Sequence, residues 1–455
     1  MQNRLSRALI SGPYSKALAG LRARPTLLFI CVALLIPNAV FLAAIAVGIG
    51  TPQRFAAIVA YLVVGLLARN VPPPVVVGTY LTVLIYDLAS TVALLFGLSF
   101  VEMFAVLKFA LEVKLFASIM YVAIGLGIAF SAVAALKMLV RERAVLRRAR
   151  LMPPVLAAFA LIVLDVSVNS LPHYHFASAF AAGQPFESGL RSSGLEAKLD
   201  RGQGRRTVMV VMVEGLGVFE DPVRQRIVDG PLQTPAVRAR YDVRSGQTAY
   251  FGSTTAAEMR ELCASRSPYQ SVMNGPQSAC LPANLKAQGY RTVAVHGFSA
   301  TMFERERWYP NIGFEQSLFA RDFAASGIAQ CGAVFKGACD SALVGRLQDV
   351  IETSHEPLFL YWLTLNTHIP IAPGEHSARV DCQSGGAFGD VEVCDMAGMW
   401  VDLLSGVAQL AMSEADMDIL IVGDHAPPLW SRTQRAQFKP GVVPWVLLSP
   451  KGPTS

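Results

Sequence analysis

Apolar runs long enough to cross a bilayer are confined to the first 170 residues of this chain. Residues 26–50 carry no charge, and a transmembrane helix needs about 20 apolar residues. Further runs cover 54–69, 75–98, 113–136 and 153–170. In hydrocarbon every backbone polar group must be bonded internally, so these runs have to be helices, and such helices tolerate Pro37. The run at 54–69 is short, which leaves a re-entrant or interfacial helix as its alternative reading. The whole chain is 53% hydrophobic and only 16% charged, against about 25% charged for a soluble domain. That excludes a disordered chain and a wholly soluble enzyme. The first apolar run is too long for a cleavable signal peptide and no A-x-A-like site closes it.

Basic residues set the expected orientation. Arg4, Arg7, Lys16, Arg22 and Arg24 precede the first run, and Lys137, Arg141, Arg143, Arg147, Arg148 and Arg150 separate the fourth from the fifth. Five spans put both clusters in the cytoplasm and everything after residue 170 outside. The net charge of +6 is then a topology signal rather than a nucleic-acid footprint. The expectation is a multi-pass protein of a bacterial inner membrane with a cytoplasmic N-terminus and a periplasmic domain. Asp87 and Asp165 fall inside the runs, where a carboxylate marks either a functional site or an ion pair near a helix end.

The cysteines agree with this topology. Cys31 lies in the first run, while Cys263, Cys280, Cys331, Cys339, Cys382 and Cys394 lie in the exported part. An even number there reads as disulfides, and pairing of sequence neighbours is the simplest of the possible sets. A structural zinc site is the alternative, but the short spacing it requires is missing.

Residues 171–205 read as an interfacial connector; its LPHYHFASAF stretch suits the aromatic zone at a membrane surface, with His173 and His175 as interfacial residues rather than a metal pair. From residue 206 the pattern turns α/β. TVMVVMVE (207–214) is a continuous apolar, β-branched run, as expected of a strand buried on both faces. Strand candidates follow at 290–296, 357–365, 418–424 and 443–449, with helical stretches around 277–288, 339–353 and 396–412. Strands alternating with helices predict a mostly parallel sheet covered on both faces. Four strands end in chemistry-bearing residues: Glu214, His296, His368 just beyond its strand, and the pair Asp424-His425. Ligands of open α/β sheets bind beyond the carboxyl ends of the strands, so these positions converge on one edge. A carboxylate beside an imidazole suits a divalent metal bound through oxygen and nitrogen. The loop FGSTTAAEMRELC offers Thr254 or Thr255 as a nucleophile at a helix start, or as an ordinary cap.

VEGLG (213–217), GSTTAAEM (252–259), HGFSATMFERERWYPNIGF (296–314), NTHIP (366–370) and GDH (423–425) occur in this order. Together they resemble the alkaline phosphatase/sulfatase superfamily. Within it they are similar to the membrane-bound lipoteichoic acid synthases, phosphoglycerol transferases and phosphoethanolamine transferases. The resemblance implies an α-helical transmembrane bundle (1–170) followed by an extracytoplasmic α/β/α sandwich (206–455). It implies metal ligands Glu214, Thr254, Asp424 and His425, with Thr254 as nucleophile because the family's threonine stands four residues before a glutamate, here Glu258. His296, Arg305 and His368 would contact the phosphate or head group. Phe303 stands where the synthases have a tryptophan, and APPLWSRTQ after His425 lacks the later histidine of the lipid A-modifying enzymes, so one divalent metal (Zn, Mn or Mg) is implied.

The implied reaction takes a phospho-alcohol from a membrane phospholipid to threonine, then to a cell-envelope glycan or glycolipid. A metal can hold a threonine hydroxyl as alkoxide, and arginine can bind a phosphate with two parallel hydrogen bonds. Two other readings are a phosphodiesterase or sulfatase that releases product to water, and a non-catalytic scaffold. Sulfatases use a modified Cys or Ser in a C/S-x-P-x-R setting, which Thr254-Thr-Ala-Ala-Glu does not match.

Overall fold

The computed structural model describes residues 19–95, 103, 107–169, 185–201, 206–324, 326–372, 374–413 and 417–451. Most of the connector, with His173 and His175, lies outside the described residues. The chain divides into two compact units, Met1–Leu95 with Ile119–Tyr174, and Phe96–Ser118 with His175–Ser455.

In the first unit the run at 26–50 forms a bent pair of helices. α1 (Pro25–Ile30) continues through a π-helical turn, Cys31–Leu35, to a break of 76° before α2 (Ala39–Ala46). Pro37 sits at the break and has no N–H to extend the helix. Asn38 Nδ2 donates to the Leu34 carbonyl at 2.7 Å, so that carbonyl is satisfied. α3 (Phe55–Leu67) has 13 residues, about 20 Å of helix, which is shorter than a hydrocarbon core. Among the described residues three helices are long and apolar enough to cross a membrane, α4 (Pro73–Leu95), α5 (Ile119–Arg141) and α6 (Met152–Asn169), or four if the bent pair α1–α2 is one span. Their outward faces are apolar, with Phe130 and Leu126 exposed and small residues such as Ala132 and Ala135 packed inside.

Asp87 and Asp165 are both buried in this unit. Arg54 Nε and Nη2 donate to the two oxygens of Asp87 at 2.8 and 2.5 Å, and the Tyr61 hydroxyl adds a third bond. Asp165 accepts from the Arg54 backbone N–H at 2.7 Å and from Asn169 Nδ2 at 2.9 Å. The partner is an arginine at the start of α3, and its guanidinium lies over the Phe41 ring at 3.2 Å.

The second unit is built on a seven-stranded sheet in the order β2-β9-β8-β1-β7-β3-β4. The strands are β1 (Thr207–Val213), β2 (Tyr241–Ala249), β3 (Arg291–His296), β4 (Gln316–Leu318), β7 (Leu358–Leu363), β8 (Met417–Gly423) and β9 (Val442–Pro450), with β5 (Gln330–Cys331) and β6 (Gly337–Ala338) forming a separate small ribbon. β1 is central and parallel to β7 and β8; β9 is antiparallel to both β8 and β2. Along β1, Met209, Val211 and Val213 face one core while Val208, Val210 and Met212 face the other. Both faces are therefore buried, which is why the strand reads as an unbroken apolar run. α8 (Asp340–Glu352) and α9 (Val391–Ser413) cover one face, and α7 (Thr254–Cys263) covers the other. The unit is an α/β/α sandwich. Three disulfides join Cys263 to Cys280, Cys331 to Cys339, and Cys382 to Cys394.

The edge strand β2 and the three-residue β4 are absent from the hydropathy pattern. β2 is YDVRSGQTA, largely exposed along its length, so neither apolar continuity nor alternation marks it.

Candidate active site

The site begins at the carboxyl end of the central strands. Glu214 leaves β1 and Asp424 leaves β8, neighbours in register at Val213 and Gly423. Gly215 turns the chain at φ +62°, and its N–H donates to Asp424 Oδ1 at 2.8 Å. At Gly423 a Cβ would stand 2.2 Å from the Leu216 carbonyl, so only glycine lets the two loops close. Asp424 Oδ1 also accepts the His425 N–H at 2.7 Å. His425 Nδ1 lies 3.0 Å from the Ala426 carbonyl, which fixes the tautomer and turns Nε2 toward the carboxylates. Nε2 is 3.2 Å from Asp424 Oδ2 and 3.6 Å from Glu214 Oε1.

Thr254 opens α7, and its Oγ1 lies 3.3 Å from Glu214 Oε2 and 3.5 Å from His425 Nε2. Thr255 is buried. Glu214, Asp424 and His425 each offer one ligand atom within 4.8 Å of the others, and all three are buried. Glu214 Oε1 and Asp424 Oδ2 have no hydrogen-bond partner. Burial and the neighbouring Asp424 hold the Glu214 carboxyl well above the usual carboxylate range. Two orphaned carboxylate oxygens facing one imidazole nitrogen fit a divalent cation, which would satisfy both and remove the repulsion.

His296 ends β3 and is buried; its Nδ1 is 3.0 Å from the Leu363 carbonyl, leaving Nε2 as the second nitrogen. Burial, with Arg305 adding to it, lowers its pKa to about 3. His368 Nδ1 lies 2.8 Å from the Ile369 carbonyl, and burial lowers its pKa to about 4. Both imidazoles are neutral at pH 7. The Phe335 ring packs on His368 at 3.7 Å between centroids. Arg305 is buried and its Nε and Nη2 donate to Glu258 at 2.9–3.2 Å, leaving Nη1 with one long bond, 3.4 Å, to the Met302 carbonyl.

The roles of several residues around this site are not legible in the sequence. Glu258 anchors Arg305 and accepts from the Tyr309 hydroxyl. Arg260, fully buried, donates to the carbonyls of Gly423 and Asp424, and Glu261 caps it. Asp340 Oδ2 accepts the N–H groups of Leu365 and Asn366 and so holds the loop before His368. Thr364 and Thr367 bond the backbone of Glu214 from both sides. These contacts are made by tertiary neighbours, and no spacing in the sequence announces them; Glu258, Arg260 and Glu261 are charges on a helix buried on nearly every side. A second group, His376, Cys382 and Asp395, also comes together, but Cys382 is bonded to Cys394 and offers no thiolate.

The sulfatase family model matches residues 206–441, more than half of the chain. The chain belongs to the sulfatase family, within the alkaline phosphatase superfamily. No curated protein matches the sequence. Among solved structures it is similar to the lipoteichoic acid synthase LtaP from Listeria monocytogenes, at 14% identity and a TM-score of 0.42, over 54% of this chain and 66% of that one. It is also similar to the Streptococcus pyogenes phosphoglycerol transferase GacH, solved with sn-glycerol-1-phosphate, at 18% identity and TM-score 0.38, over 57% of this chain and 73% of that one. A third is the C-terminal periplasmic domain of EptC from Escherichia coli in complex with zinc, at 15% identity and TM-score 0.37, over 54% and 73%. The chain thus spans just under two thirds of the LtaP chain it matches.

Proposed function

We propose that this protein is a metal-dependent phosphotransferase that moves a phospho-alcohol head group, phosphoethanolamine or phosphoglycerol, from a membrane phospholipid to a hydroxyl of a cell-envelope glycan or glycolipid. The observation that carries the reading is Thr254 Oγ1 facing a buried Glu214–Asp424–His425 set whose two carboxylate oxygens lack partners. Glu214, Asp424, His425 and Thr254 would hold one divalent cation. When bound, the cation supplies Lewis-acid stabilisation and lowers the pKa of the threonine hydroxyl.

The remaining work falls to the chain's own groups. Thr254 Oγ1 attacks the head-group phosphorus; the bond from phosphorus to the diacylglycerol oxygen breaks, and that oxygen takes a proton. The acceptor hydroxyl then attacks phosphothreonine, gives up its proton and restores Thr254. The free N–H groups of Arg305 face away from Glu258 and bind phosphoryl oxygens. His368 and His296, neutral and each fixed through Nδ1, present Nε2 to accept or return the proton in each step. A domain on the same chain as helices long and apolar enough to cross a membrane supports a donor drawn from the bilayer.

Thr254→Ala tests the reading. Transfer of a labelled head group from phospholipid vesicles should fall below detection while the circular dichroism spectrum stays native; full transfer by the variant would overturn it. A hydrolase built on the same residues is the second reading, favoured by the same threonine and arginine. Labelled product appearing in water with acceptor glycan present would support it.

A further inference from the structure

The stretch that joins α4 to α5 belongs to the second unit rather than to the helices it connects. Within it, 3-10 turns cover Leu107–Leu111 and Leu115–Ala117. Its inner side lies against residues 298–304, the loop that leads into Arg305. Phe109 is 4% exposed and packs with Phe298, Met302 and Leu365, its ring 5.5 Å from that of Phe303. Lys108 Nζ is 2.9 Å from Glu304. The Thr301 hydroxyl donates to Glu112 Oε1 at 2.7 Å, and the Lys114 N–H donates to the Val334 carbonyl at 3.0 Å.

Phe303 and Glu304, held by these contacts, both have φ +54°. Two adjacent left-handed residues with side chains are costly and persist only where their surroundings fix them. They stand directly before Arg305, and the Phe303 ring lies 5.4 Å from the guanidinium carbon. The conformation that aims Arg305 is therefore held by a segment tethered at both ends to membrane helices.

The outer side of the same segment is apolar and uncovered. Leu107 is 54% exposed, Leu115 43% and Phe116 92%. Chain continuity ties the segment to α4 and α5, two helices long and apolar enough to cross a bilayer, and exposed aromatic and aliphatic side chains partition favourably into a membrane interface.

We propose that Leu107–Ala117 is a lipid-facing clasp, whose inner side fixes the loop 298–305 and whose outer side lies in the membrane interface, so that the site takes a membrane-borne phosphodiester in preference to a water-soluble one. The inference rests on the transferase reading above for its substrate class, but not for the position of the segment.

The test uses the full-length protein reconstituted in vesicles of phosphatidylethanolamine and phosphatidylglycerol, with bis-p-nitrophenyl phosphate as the soluble donor. In the variant Leu107→Ser/Leu115→Ser/Phe116→Ser, the ratio of kcat/KM for vesicle donor to kcat/KM for soluble donor should fall about tenfold or more. An unchanged ratio would overturn the clasp. Glu112→Ala, acting on the inner side, should lower turnover of both donors and leave the ratio unchanged; undiminished turnover would count against the inner contact. Phe116→Trp gives a readout that needs no activity: brominated phospholipid should quench the added emission, and absence of quenching would overturn the interfacial placement. A wild-type protein inactive on both donors defeats the transferase reading, while the quenching still decides the clasp.

Discussion

Two clusters of buried charge, one in each unit, are built in opposite ways. Around Arg54 both oxygens of Asp87 and both oxygens of Asp165 accept hydrogen bonds, and one guanidinium offsets the nearer carboxylate. Around Thr254 two carboxylates and an imidazole converge with no arginine between them, and Glu214 Oε1 and Asp424 Oδ2 remain unpartnered. Arg260, a buried guanidinium of α7, spends its hydrogen bonds on backbone carbonyls and Glu261 instead. Burying a polar group without a partner costs about 1–3 kcal/mol, more for a charged one. The first cluster ties helices together; the second leaves two carboxylate oxygens that a bound cation would satisfy.

The largest effect should come from the second cluster. Glu214→Ala and Asp424→Ala should each lower transfer by about a thousandfold or more, the scale on which a metal-activated nucleophile acts. Metal titration by calorimetry should show binding lost. The stability contrast is read on Glu214→Gln, because Asp424→Ala also strips the Gly215 and His425 N–H groups of their acceptor. Metal-free Glu214→Gln should unfold no earlier than the metal-free wild type, and earlier unfolding would erase the contrast. The first cluster should respond in the opposite sense. Arg54→Met should cost about 3–5 kcal/mol of stability, because Asp87 is left buried and unpaired, and Asp87→Leu in the same chain should recover most of it. Chemical denaturation in detergent reads this out, with the activity of the folded fraction preserved.

A smaller effect is expected one layer out. Glu258→Gln keeps the shape of the Arg305 anchor but removes its charge, and should lower kcat/KM by about tenfold, chiefly through KM for the phosphodiester. The smallest concerns Asp340. Burial pushes its pKa up to about 7, from 3.8 in the unfolded chain. The folded state therefore holds this proton more tightly, so its contribution to stability is full below pH 4 and lost as pH rises toward 7. Asp340→Asn retains an oxygen to accept the N–H groups of Leu365 and Asn366. The fall in Tm between pH 4 and 7 should be shallower in the variant by a few degrees; parallel profiles would remove Asp340 as the source.

What the sequence conveyed and what it withheld follow the same physics. Strands buried on both faces and helices facing lipid are continuous apolar runs, so β1, β3, β7, β8 and β9 and the long helices α4, α5 and α6 could be read from composition alone. Residues that meet at strand ends follow from topology, which is why Glu214, His296, His368, Asp424 and His425 could be named before any coordinates. The run at 26–50 reads as one span because hydropathy is blind to direction; the 76° break lies at Pro37, which the sequence displays without the angle. The fourth apolar run reads from residue 113, but the helix starts at Ile119, and 107–117 packs on the second unit through Phe109 and Val113, apolar residues that hydropathy cannot assign to lipid or to protein. Arg54 as the partner of Asp87, Glu258 as the anchor of Arg305 and Asp340 under the 364–368 loop are pairings across long sequence separations. No local pattern encodes them.

The central claim is that Thr254 carries the phospho-alcohol between donor and acceptor. Its most direct test is intact-protein and peptide mass spectrometry of the full-length protein incubated with a divalent cation and phospholipid vesicles but no acceptor. One covalent adduct should form on Thr254, with the mass of phosphoethanolamine or phosphoglycerol, and be lost when an acceptor glycan is added. Turnover of phospholipid with Thr254 unmodified, or an adduct on another residue that persists in Thr254→Ala, would contradict it.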